Sequence, residues 1–275
     1  MKSLIIFLIL LLTFSCKAQK KDKIKGDREV ISISEDIKDN FEKIEISDDI
    51  NVTLQKGLRT SYILTADRNL IEEVEIEVKN GTLKIYTKSN IVSSKKLEVY
   101  LSLKSFNSIV VNDNAIVKSS GKFEIEYLKV TMNNSSKIDL DLNVEKSTEI
   151  NLFDNSGGKL SLRSDDVLIN MKNRTDLNAK LKSKNLEVNL EKSAAIKLDG
   201  EADDASYNVE DTSNLDAKKL KSRTAVLNSK NRTDIYINAS KTIEITAEGK
   251  SKIYIYGNPT IKINGFVDKS RIIKK

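Results

Sequence analysis

This sequence predicts an all-β chain wound as a parallel β-helix, on three observations. Its apolar residues alternate with a period of two, the alternation recurs about every twenty residues, and short polar turns fall at a constant place in each repeat.

The recurrence is clearest from residue 106 onward. Taking Ile116, Ile138, Leu160, Leu177, Ile196, Leu215, Ile235 and Ile253 as anchors gives separations of 22, 22, 17, 19, 19, 20 and 18. Two positions before each anchor stands a small or short polar residue, from Asn114 and Ser136 through Gly158 to Ser251. Eight positions before stand Val130, Leu152, Ile169, Val188, Tyr207, Leu227 and Ile245, the first repeat shifting by one to Ile109. Even offsets belong to strands, whereas a helix would need apolar residues three and four apart. Each repeat therefore reads as two short strands joined by a compact turn. The turns carry residues that tolerate a left-handed backbone, as in Asn133-Asn134-Ser135-Ser136 and Asn155-Ser156-Gly157-Gly158. One such repeat cannot cover its own apolar face; stacking copies does, with like residues in columns. An antiparallel meander would need reversing hairpins and would not keep one constant offset.

Residues 28–105 alternate without the repeat spacing and include a hairpin signal, Asn80-Gly81, between Val74–Lys79 and Thr82–Tyr86. This region is expected to start or cap the solenoid, whose open core end must be hidden from water. The repeats are expected over 106–265, followed by a basic tail at 266–275.

At the other end, Leu4–Leu12 is an unbroken apolar run after one lysine, too short for a stable membrane span and typical of a signal peptide over 1–15. The only cysteine, Cys16, follows at once. Leu12-Thr13-Phe14-Ser15-Cys16 resembles a bacterial lipobox, which implies lipidation at Cys16 and attachment to the outer membrane through acyl chains. Ordinary cleavage after Ala18 is the other reading. Residues 16–27, rich in lysine, are expected to form a flexible tether.

Composition removes whole classes of chemistry. The sequence has no histidine, which excludes Ser-His-Asp and Cys-His sites, and a lone cysteine excludes a disulfide framework. With 46 basic and 40 acidic residues dispersed and only 5% aromatics, no basic stripe for nucleic acid forms. No metal-ligand spacing and no cofactor motif is present, so neither is expected.

The chain resembles the "putative auto-transporter adhesin, head GIN domain" family of Bacteroidota envelope proteins over about residues 40–265. The resemblance is carried by Phe41-x-x-Ile44-x-Ile46, Ile50-x-Val52-x-Leu54, Asn69-Leu70, Asn80-Gly81-Thr82-Leu83-x-Ile85, the serial small-residue turns and Tyr256-Gly257-Asn258-Pro259. Its turns are less Ser-Gly rich than the family's. The resemblance implies a right-handed parallel β-helix in the cell envelope and offers no catalytic residues.

Three functions are weighed. The first is a non-enzymatic, adhesin-like envelope lipoprotein that binds glycan or protein partners. The second is a carbohydrate-active enzyme using paired carboxylates, with Asp139 and Asp141, Asp165 and Asp166, or Asp203 and Asp204 as candidates. The third is a structural spacer without ligand. For binding, Tyr236, Tyr254 and Tyr256 each lie one residue from an inward anchor and are expected to form an outward stripe on neighbouring rungs.

Overall fold

The computed structural model describes residues 21–275; the expected signal peptide and Cys16 lie outside the described residues. From residue 43 onward the chain winds as a β-solenoid. Each rung is a strand, a tight turn, a second strand and a wider bend. Strands preceding the turns stack in parallel as sheet I, and those following them as sheet II. Several strands, such as Lys137–Phe153 and Asp176–Glu191, pass through the wider bend and contribute to both sheets.

Alternation puts one column of each sheet inside. In sheet I, Ile109, Val130, Ile150, Ile169, Val188, Tyr207, Leu227 and Ile245 are register partners in turn. In sheet II the column runs Val117, Ile138, Gly158, Leu177, Ile196, Leu215, Ile235, Ile253 and Ile272. All of these except Gly158 and Ile272 are buried. The separations in sheet II are 21, 20, 19, 19, 19, 20, 18 and 19, more regular than the sequence pattern implied.

The difference comes from two local shifts. In the first repeat the inward residue is Val117, not Ile116, so the whole rung moves by one along with Ile109. In the third, Ile138 pairs with Gly158 and Val130 with Ile150, so Leu160 and Leu152 each sit two residues beyond their assigned columns. A two-residue slip keeps every side chain on its own face, so alternation alone cannot detect it. The backbone here also requires glycine. A Cβ on Gly158 would sit 2.1 Å from the carbonyl oxygen of Ile138, and the φ of Gly158 is +143°.

Most of the turns share one conformation, while those at Asn231, Gly249 and Asp268 have a single left-handed residue. Two successive left-handed residues occur at Asp48–Asp49, Asp113–Asn114, Asn134–Ser135, Asp154–Asn155, Asn173–Arg174, Lys192–Ser193 and Asp211–Thr212. Asn and Asp adopt this region at least cost among residues with a side chain, which explains the turn composition. Their side chains also bond between rungs: Asn134 Nδ2 donates to Asp113 Oδ1, Asn173 to Asp154 and Asn231 to Asp211, at 2.7–2.9 Å.

The N-terminal region both starts and caps the solenoid, and it does so out of sequence order. Strands 43–46 and 51–56 form a rung whose next neighbours on one side are 108–111 and 116–120. On the other side lie Thr82–Thr87 and Leu97–Leu103, which come later in the chain. The cap continues sheet II with Ser61–Asp67 and Val30–Asp36, antiparallel to their neighbours. It continues sheet I with Val74–Lys79, which pairs with 82–87 through the expected Asn80-Gly81 hairpin. A 3-10 turn at Arg68–Glu73 sets Leu70, fully buried, over the end of the core. Solenoid pairing thus begins well before residue 106, hidden because the inserted strands interrupt the spacing.

Asp67 ties the cap together. It is fully buried, and its carboxylate accepts backbone N–H bonds from Arg28, Lys95 and Lys96 at 3.0–3.1 Å. Burial opposes its charge, but these donors outweigh burial and hold the carboxyl below its ordinary range.

The expected flexible tether and the expected basic tail both contain paired strands. Within the Lys-rich segment 16–27, Lys23–Lys25 is a strand parallel to Asn90–Ser93, and Lys21 Nζ reaches Asp48 and the carbonyl of Thr87. The basic C-terminal segment contains Arg271–Lys274, paired with Lys252–Tyr256. In both, a strand edge was available, and alternating residues such as Ile24 and Ile272 pack against the core.

Candidate binding surface

The three tyrosines emerge outward near the C-terminal end of sheet II, because their neighbours Ile235, Ile237, Ile253 and Ile255 fill the core. Tyr236 and Tyr254 are register partners and lie face to face, with ring centroids 4.6 Å apart and planes 7° apart. Lys218 Nζ lies 5.6 Å from the Tyr236 centroid and Lys275 Nζ 5.5 Å from that of Tyr254. The order is therefore ammonium, ring, ring, ammonium, a cation–π arrangement in which both rings contribute. Tyr256 partners Asn238 one column over and does not join the stack. Burial, then the neighbouring Tyr254 and Asp234, raise the Tyr236 phenol above its ordinary value, so it stays a neutral donor. Since the ring faces are covered, a ligand would meet the hydroxyl edges.

The carboxylate pairs fare differently. Asp139 and Asp141 do share the outward face of sheet II, as alternation required. Asp165 is bridged to Lys184 at 2.7 Å, and Asp166 accepts from Asn185. Asp204 receives Thr224 and both its oxygens take Arg223 at 2.9 Å; these bonds hold its carboxyl below its ordinary range. A general acid needs the opposite shift. Among the described residues, no group of three or more acidic, histidine or cysteine side chains could hold a metal.

The sequence reading missed one feature, a spine on the outward face of sheet I. Asn151, Asn170, Asn189, Asn208 and Asn228 stack in register, each amide donating to the one before at 2.7–2.9 Å. Glu149 and Glu187 take further amide protons from Asn151 and Asn189. The signal was available, as the separations are 19, 19, 19 and 20. Beside this spine a shallow open groove crosses the sheet, edged by Tyr127, Leu168 and Val226. No helix among the described residues is long and apolar enough to cross a membrane.

A two-sheet solenoid with a hydrogen-bonded polar spine and long shallow faces belongs to the class of repeat proteins that present extended surfaces. The chain is a member of the family described as "Putative auto-transporter adhesin, head GIN domain", which matches residues 40–160 and again 146–259. The two matches overlap within the repeated rungs. Among solved structures, the fold is shared with "a putative adhesin" from Parabacteroides merdae ATCC 43184, at 17% identity and a TM-score of 0.71, covering 92% of this chain and 99% of that one. A "putative lipid binding protein" from Parabacteroides distasonis ATCC 8503 aligns at 18% identity and a TM-score of 0.69, covering 92% and 100%. No curated protein matches the chain in sequence.

Proposed function

We propose that this protein is a non-enzymatic, adhesin-like envelope lipoprotein, anchored to the outer membrane through acylated Cys16, that binds a glycan or protein partner along sheet II. The observation that carries the reading is the outward Tyr236–Tyr254 stack with its flanking ammonium groups and neighbouring Tyr256. Such a cluster offers phenol donors and positive charge on a rigid rung. The family relationship supports an adhesive rather than a catalytic role, as does the ion pairing of Asp165 and Asp204. Contacts of this kind gain strength through multivalency on a membrane.

The test is binding of the exported full-length chain to glycan arrays and to envelope protein fractions, beside a Tyr236→Ala/Tyr254→Ala/Tyr256→Ala variant. Binding by the parent and its loss in the folded variant are expected. Absence of binding by the parent, or equal binding by both, would remove this surface from the account. Anchoring is tested separately, by mass spectrometry of the N-terminal peptide for an acylated Cys16 and by release of a Cys16→Ser variant into the soluble fraction.

A further inference from the structure

The two ends of the solenoid are finished differently. At the N-terminal end, Leu70 and the antiparallel strands close the core. At the C-terminal end the last strands, Thr260–Phe266 in sheet I and Arg271–Lys274 in sheet II, have no strand beyond them among the described residues. Ile261, Ile263 and Phe266 stand in register with the inward Ile243, Ile245 and Ala247, and Ile272 with Ile253. These positions continue the core, yet Ile263 is 56% exposed and Phe266 39%, with Val267 beside them at 54%. The core therefore ends in an apolar patch framed by two free strand edges.

Charge distinguishes what can cover it. Residues 260–275 carry five basic side chains against Asp268 alone. The strands at the opposite end, Val30–Asp36 and Val74–Lys79 with the preceding Arg68–Glu73, carry six acidic side chains against Arg68 and Lys79. One oxygen of Glu73 is shielded from solvent and has no donor. Among the described residues, that end also presents unpaired edges of the same two sheets, with Ile33, Ile71, Ile76 and Val78 only partly covered.

We infer that the C-terminal rung docks on the N-terminal cap of a second copy of this chain. Sheet I would continue through Val74–Lys79 of the next molecule and sheet II through Val30–Asp36. Two C-terminal ends would bring like charges together, so the contact is heterologous, and a heterologous contact that does not close adds molecules in a row. Edge lysines such as Lys274, which occupies an inward column, guard against indiscriminate strand pairing. The opposite charge of the cap is what selects that edge. This inference uses none of the three tyrosines, and its test leaves Lys275, which lies over Tyr254, unchanged.

The experiment is sedimentation equilibrium on the exported full-length chain carrying Cys16→Ser, so that acyl chains cannot cause association. The expected result is an average mass that rises with protein concentration and falls with added salt. Reversing Lys262, Arg271 and Lys274 to Glu should weaken association by about tenfold or more. Adding the reversed protein to one carrying Glu35→Lys and Asp36→Lys should restore it. Ile263→Ser with Phe266→Ser should also weaken it, and unchanged circular dichroism and melting would show that the variants fold. A monomer at every concentration, or association indifferent to both sets of changes, would overturn the inference. So would a monomer that binds phosphatidylglycerol vesicles through the same residues, which would make the patch a lipid contact.

Discussion

At the scale of single residues, two buried polar groups illustrate opposite outcomes of desolvation. The Tyr207 ring is fully buried, in a core that also holds the small Ala205 and Ala225, but its hydroxyl has no partner among the described residues. Burial alone raises its phenol pKa. A buried hydroxyl without a hydrogen bond costs about 1–3 kcal/mol, so Tyr207→Phe should stabilise the protein by about 1 kcal/mol in urea denaturation. Asp67 is equally buried yet takes three backbone donors, and Asp67→Asn should cost about 1.5–3 kcal/mol. Because its folded carboxyl is held below the ordinary range, its contribution is complete above the unfolded carboxylate value. It is lost as pH falls through the lower folded value. Acid titration of stability should therefore be shallower in the Asp67→Asn protein over that window; identical slopes would show that Asp67 does not couple to folding.

At the scale of elements, the asparagine spine and the turns fix register where alternation cannot. Asn189 donates to Asn170 and accepts from Asn208. Asn189→Ala breaks both bonds and should cost about 1–2 kcal/mol. Asn189→Asp keeps the shape but supplies no donor and faces the Asn170 oxygen, so it should cost more, as compared by thermal melting. The paired strands, the turn positions and the Asn80-Gly81 hairpin were legible in the sequence because period and turn chemistry are local. The slip at Gly158 was not, since Leu160 and Leu152 keep their faces when displaced by two. Nor was the role of 43–56, because the partners of Ile44 and Val52 lie at Ile109 and Val117, far beyond one repeat. Of the candidate surface, the outward tyrosines followed from alternation. The covering of their faces by Lys218 and Lys275 did not, since Lys218 sits at a strand irregularity and Lys275 arrives from the next rung.

At the scale of the whole molecule, stability is a sum over neighbouring rungs, so it is lowest where a rung has one neighbour. The C-terminal rung has one, and its inward residues are the least covered of the core columns. Hydrogen exchange should accordingly be fastest at amides of 260–274 and slowest in the central rungs between Asp166 and Ser229, as measured by mass spectrometry of peptic fragments. Uniform exchange along the rod would mean that the rungs open together.

The out-of-order rung at 43–56 also dictates a sequence of events in time. In the body of the solenoid a residue meets its partner about 20 positions away, as Leu177 meets Ile196, whereas Ile44 pairs with Leu83 and Ile109, and Val52 with Val99 and Val117, all far beyond one repeat. Closing the longer loop costs about 1 kcal/mol more in chain entropy, and nearby contacts form sooner than distant ones. The central rungs should therefore assemble first and serve as the template on which residues 43–56 land, with the cap arriving last. If the chain emerges N-terminus first, residues 43–56 are on hand well before the rung at 108–120 against which they stack.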